Sequence, residues 1–236
     1  MSITMFHRVL RRKTIAFFLC GLLILIFTSD PEAASLADIL GGIPGQEASR
    51  QIDVVGMLRW NLCVFPPITV SVLFFREELM VFKYLSLIRF QSAKQWMRSS
   101  IVTIVFINYI YLVTFFIVIF CRSFRQGFIT ALLIETVLIF PIHTLMISMV
   151  SIAIYLIAKN IRIILIAFLM IEGVGVALGT TISAVEKYML ALYGMSQRIN
   201  WKSNSGGTVW FPIVIMATVA FISGMVITHQ VKRGID

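Results

Sequence analysis

FITALLIETVLIFPIHTLMISMVSIAIYLIA, residues 128–158, carries one acidic residue, Glu135, and no lysine or arginine. A helix crosses the hydrocarbon of a bilayer with about 20 apolar residues. At 1.5 Å per residue this stretch is longer than a crossing requires. It is therefore expected to tilt, to kink at Pro141 or to project beyond the bilayer. Working outward, similar apolar runs occupy about 14–28, 54–75, 101–121, 163–178 and 209–228. Six runs of this kind read as six transmembrane helices. Strands of a membrane barrel would alternate apolar and polar residues instead.

Composition agrees. Of the 236 residues, 59% are apolar and 13% charged, and the mean hydropathy is +0.94. Soluble domains carry about 25% charged residues. No second domain and no repeat is evident, so residues 1–236 are expected to form one membrane domain. The net charge of +9 comes from short cationic clusters between apolar runs. Topology and anionic lipid account for it before nucleic acid does, because no basic patch is interleaved with exposed aromatics.

Arg8, Arg11, Arg12 and Lys13 precede the first run, and Ala33, Ala34 and Ser35 follow it. These features also fit a secretory signal, but a first transmembrane helix is the expectation. Either reading starts the second run outside. With six helices, thirteen of the 20 Lys and Arg residues fall on the side that holds both termini. That side is therefore expected to be cytoplasmic. Trp60, Trp201 and Trp210 are expected near the opposite interface, where indoles gather. Cys20, Cys63 and Cys121 lie in or beside apolar runs and have no ligand or disulfide spacing. They read as small buried apolar residues.

Catalytic signatures are missing. The chain has no phosphate loop of the G-x-x-x-x-G-K-[ST] type, no H-E-x-x-H and no G-x-S-x-G,. Neither a catalytic residue nor a metal site is expected. The informative polar stretch is 75–96, FREELMVFKYLSLIRFQSAKQW, which follows the second run on the cytoplasmic side. Glu77 and Glu78 suit a helix start, where the dipole is positive. Leu79, Phe82 and Leu85 recur at helical spacing, so a short amphipathic helix and a basic turn are expected. A helix lying on anionic lipid would explain the cations but not the paired glutamates.

This stretch resembles the cytoplasmic loop of the ABC-2 type permease family, and in particular the small peptide-exporter permeases of Gram-positive bacteria. Phe75, Glu77 and Glu78 match the opening of the family's loop. Lys83 to Ile88 match its helix, and Arg89-Phe90-Gln91-Ser92-Ala93-Lys94 stand at its turn. The family's usual proline in the turn is absent. Met80 or Val81 replaces its glycine after the glutamates. The resemblance implies six helices, both termini inside, a coupling helix between helices 2 and 3, and an extracytoplasmic hairpin between helices 5 and 6. The stretch 180–208 would be that hairpin. It further implies an ATPase-coupling loop made by Arg76, Glu77, Glu78, Lys83, Arg89 and Lys94. A separate ABC ATPase subunit would hold ATP and Mg, a second permease chain would complete the pathway, and this chain would need no cofactor of its own.

Four further residues are candidates for the pathway or for packing. Ionisable groups at membrane depth are costly and face a bundle interior or cavity. Glu135 could pair with Arg122 or Arg125. Glu172 precedes Gly175-x-x-x-Gly179, a close-packing spacing, so packing and transport both remain open for it. His143 reads first as a hydrogen-bonded packing residue and second as a proton relay. Asn108 is the weakest of the four. The resulting expectation is a multi-pass subunit of an ATP-driven exporter in a bacterial cytoplasmic membrane, surrounded by lipid. The 19 Phe and 12 Met residues suit a peptide or other lipophilic cargo,. The alternative is a membrane immunity or anchor protein that binds a peptide without ATP.

Overall fold

A computed structural model of the chain describes residues 54–80, 92–123, 131–182, 188–195 and 210–233. All regular structure among them is helical. The elements are α1 (Val54–Met80), α2 (Ala93–Ser123), α3 (Ala131–Ala158), α4 (Ile161–Phe168), a π-helical segment (Leu169–Val174), α5 (Gly175–Thr181), the single turn α6 (Leu190–Tyr193) and α7 (Trp210–Arg233). The α4, π-helical and α5 pieces form one continuous rod.

Among the described residues, five helices are long and apolar enough to cross a membrane: Val54–Leu79, Gln95–Thr114, Leu138–Ala158, Ile161–Gly179 and Trp210–Val231. The expected first span, 14–28, lies outside the described residues. So does the expected coupling helix, with Lys83 and Arg89.

The distribution of side chains is that of a protein solvated by lipid. Leu58, Ile166, Phe211, Phe221 and Met225 are each at least 60% exposed. Ser71, Ser100, Thr103, Asn108, His143, Ser148 and Glu172 are buried. In water such a surface would drive association. In hydrocarbon, exposed apolar groups cost nothing and polar groups find partners inside.

Helix α3 is the axis of the bundle. It packs most extensively on α7, then on α1, and also meets α2 and α4. It is apolar all round, as a helix enclosed on most sides must be. Prolines do not interrupt it or α1. Pro141 lies inside α3, and Pro66 and Pro67 lie inside α1. Nearby hydroxyls bond back to their own helices: Ser71 Oγ donates to the Pro67 carbonyl at 2.7 Å, and Thr144 Oγ1 to the Pro141 carbonyl at 3.1 Å. The turn from α3 to α4 is two residues long. Lys159 takes a left-handed conformation (φ 52°) and donates its N–H to the Tyr155 carbonyl. Asn160 Oδ1 then caps α4 by accepting from the Arg162 N–H at 2.9 Å,.

Two expectations change here. Helix α1 continues to Met80, so Glu77 and Glu78 lie in the last turn of a described helix and not at a helix start. Their carboxylates therefore sit at the negative end of the dipole. Glu77 is exposed, whereas Glu78 is 1% exposed. Trp60 is also buried, 1% exposed, so its indole packs inside the bundle and not on its outer surface, while Trp210 is 70% exposed and Trp201 lies outside the described residues. Cys63 is buried and in no disulfide, as expected.

Candidate functional site

Three chain-distant residues meet inside the bundle. Trp60 enters from the second turn of α1, His143 from α3 and Glu172 from the π-helical segment. The Trp60 indole N–H donates to Glu172 Oε2 at 3.0 Å, across 112 residues of sequence. Glu172 Oε1 lies 3.1 Å from His143 Nε2, and both side chains have no exposure. The two atoms are close, yet neither His143 Nε2 nor Glu172 Oε1 has a hydrogen-bond partner among the described residues. His143 Nδ1 has no partner among the described residues. The indole covers the site from one side: its ring centroid is 5.7 Å from His143 and 5.9 Å, edge-on, from Phe140.

The three residues share one depth. Each lies about 7–11 Å along its helix from the Val54, Leu138 or Gly179 end of a span, at 1.5 Å per residue,. These ends come together because α1 and α3 run one way and the rod runs back. Burying an ionisable carboxyl at that depth is expensive unless it is paired and hydrogen-bonded. Trp60 and His143 supply those partners.

The π-helical segment is the local device that presents Glu172. A π-turn holds one extra residue and re-aims the side chains that follow. Such turns are rare and frequently found at functional sites. Its sequence, Leu169-Met170-Ile171-Glu172-Gly173-Val174, is followed at once by Gly175. Gly173 has open space where a Cβ would stand, so its role is not close packing.

Residues 188–195 seal the site. This segment folds back against α5, α7, α3 and the π-helical segment. Ala191, Leu192, Tyr193 and Met195 are buried. A Cβ on Gly194 would overlap the His143 ring, and a Cβ on Gly179 would overlap Leu192. A Cβ on Gly175 would meet Ala191 at an ordinary 3.5 Å. The Gly175-x-x-x-Gly179 spacing thus packs against this re-entrant turn and not against another long helix. Within the expected 180–208 hairpin, residues 191–195 are accordingly apolar and buried, whereas Ile182 and Tyr188 are exposed. Non-helical backbone at membrane depth requires such cover.

The other sequence candidates lie apart from this cluster. Asn108 donates to the Ile104 carbonyl at 2.8 Å and approaches Ser71 Oγ at 3.5 Å, joining α2 to α1. Glu135 lies on the first turns of α3, and its side chain is outside the described residues, as is that of Lys94. Arg76 and Glu77 are exposed at the opposite end of the bundle. No cluster of three or more metal-ligating side chains occurs among the described residues. Sequence reasoning missed Trp60 as the partner of Glu172. The available signal was an indole a turn inside an apolar run, whose N–H needs an acceptor once buried. Gly194 carried no signal at all. Comparison of the chain with known protein families, curated proteins and solved structures finds no match.

Proposed function

We propose that this chain is the membrane-spanning subunit of an ATP-driven exporter of amphipathic or hydrophobic cargo, peptides foremost. The observation that carries the pathway reading is the Trp60–Glu172–His143 cluster. A carboxyl, an imidazole and an indole N–H converge at membrane depth, where α1, α3, the rod and the re-entrant turn all meet. A dry polar contact between separate helices is a latch: it holds while they stay together and is lost when one moves. The π-helical segment provides a turn at which the rod can shift register. The ATPase coupling rests on the 75–96 sequence and on the exposed Arg76 and Glu77 near the C-terminal end of α1. Hydrolysis in a partner subunit would move α1 and open the latch at its far end.

The test is the accessibility of the sealed turn. A cysteine replacing Ala191 should resist a membrane-impermeant thiol reagent in resting membranes and react at least several-fold faster during ATP hydrolysis. Equal labelling with and without ATP would exclude a latch opened by the ATPase. It would favour the passive peptide-binding reading.

A further inference from the structure

At the opposite end of the bundle the surface is open. A groove of about 570 Å³ runs between α2, α3 and α7. Its walls are Ile101 and Val105 of α2, Leu145 and Met149 of α3, and Phe221 and Met225 of α7. Ala220 and Gly224 form part of its α7 wall, and a Cβ on Gly224 would come within 3.3 Å of Met149 Cε. Its volume falls within the range of ligand-binding clefts.

The polarity of this groove is graded. Apolar side chains fill its length, and the polar groups gather at one rim. His229 and Thr228 close it on α7. On α2, Arg98 stands three residues before Ile101 and seven before Val105, on the same helix face, and is exposed. Lys232 and Arg233 follow one turn beyond His229 on α7. The rim lies at the end where α1 finishes, α2 begins and α7 finishes. The Lys and Arg bias assigns that end to the cytoplasm.

We propose that the α2–α3–α7 groove binds an anionic phospholipid of the cytoplasmic leaflet. One acyl chain would lie along Val105, Met149 and Phe221, with the phosphate at Arg98 and His229. The charge pattern selects this occupant. A second helix of ordinary membrane composition would need no cationic rim. A zwitterionic lipid would gain little from one, because its own cation cancels the attraction. Basic pockets between transmembrane helices on the cytoplasmic side take anionic head groups for this reason.

The experiment uses the full chain extracted in mild detergent from bilayers of equal phosphatidylglycerol and phosphatidylcholine. Lipids retained are counted by native mass spectrometry. Wild type should retain phosphatidylglycerol in at least fivefold preference. R98Q/H229Q should retain lipid with that preference reduced to near parity, and Ala220→Phe, which fills the groove, should retain several-fold less of either lipid. Adding glycerol phosphate should not displace the bound lipid. Displacement would mean that a free phosphate suffices and would overturn the acyl-chain placement. Unchanged preference in R98Q/H229Q together with unchanged retention in Ala220→Phe would overturn the site. So would efficient disulfide linkage of Met225→Cys to a second copy in native membranes, which would assign the groove to a protein interface.

Discussion

Gly194 lies flat against the imidazole of His143, with no room for a Cβ between them. This contact joins the re-entrant turn to the central helix, and it makes the turn a lid on the buried cluster. Replacing Gly194 with Ala should force the ring or the turn aside at a cost of about 1–3 kcal/mol, the range for overpacking a filled core. In a His143→Ala background the same change should cost less by at least about 0.5 kcal/mol, because the two positions are in contact. Thermal inactivation in detergent, read across the four variants, measures the difference. Strict additivity would mean that the two residues do not touch.

The Trp60–Glu172 hydrogen bond predicts an asymmetry. Trp60→Phe keeps most of the ring but leaves a buried carboxyl oxygen without its donor, at about 1–3 kcal/mol. Adding Glu172→Gln should recover part of that loss, because an amide is less costly than a carboxylate to leave under-bonded. Abundance in the membrane and the midpoint of thermal unfolding report both. If Trp60→Phe alone is neutral, the indole N–H contributes nothing to the cluster.

The glycines of the rod separate by environment. Gly173 faces open space, so Gly173→Ala should be neutral or stabilising by about 0.5–1 kcal/mol through helix propensity. Gly179→Ala meets Leu192 and should destabilise. Equal effects of the two alanine substitutions would contradict the packing described.

Much of this architecture was legible in the sequence. The apolar runs placed the helices because lipid selects on bulk hydrophobicity along a whole segment, and that signal survives without an alignment. The end of α1 was misread. Paired glutamates favour a helix start by electrostatics, yet the helix begun at Val54 runs through them. Glu172 and His143 stood out as ionisable groups in apolar runs. Their meeting was illegible, because it depends on how three helices turn about their axes and on one extra residue in a π-turn. The burial of residues 191–195 was hidden for the same reason. A short turn looks like a loop until its neighbours are in place.

The Lys and Arg distribution predicts an orientation with both termini in the cytoplasm. A cysteine at Gly45 or Ser203 should react with an impermeant thiol reagent added outside intact cells, and one at Ser92, exposed at the start of α2, should not. Labelling at Ser92 would invert the topology and remove the cytoplasmic assignment of Arg76, Glu77 and the groove rim.

The central claim is that a separate ATPase drives this chain through the end of α1. Glu78 is buried, so its reversal would disturb folding. Glu77 is exposed, and Glu77→Lys isolates the docking charge, since rim charges govern recognition more than stability. The full chain should be purified from its native membranes with its partners, and ATP hydrolysis measured with and without amphipathic peptide. The account predicts a co-purifying, peptide-stimulated ATPase activity. It also predicts that Glu77→Lys cuts this activity several-fold at unchanged abundance of the chain. A preparation that binds peptide but carries no ATPase, or an activity indifferent to Glu77→Lys, would contradict it.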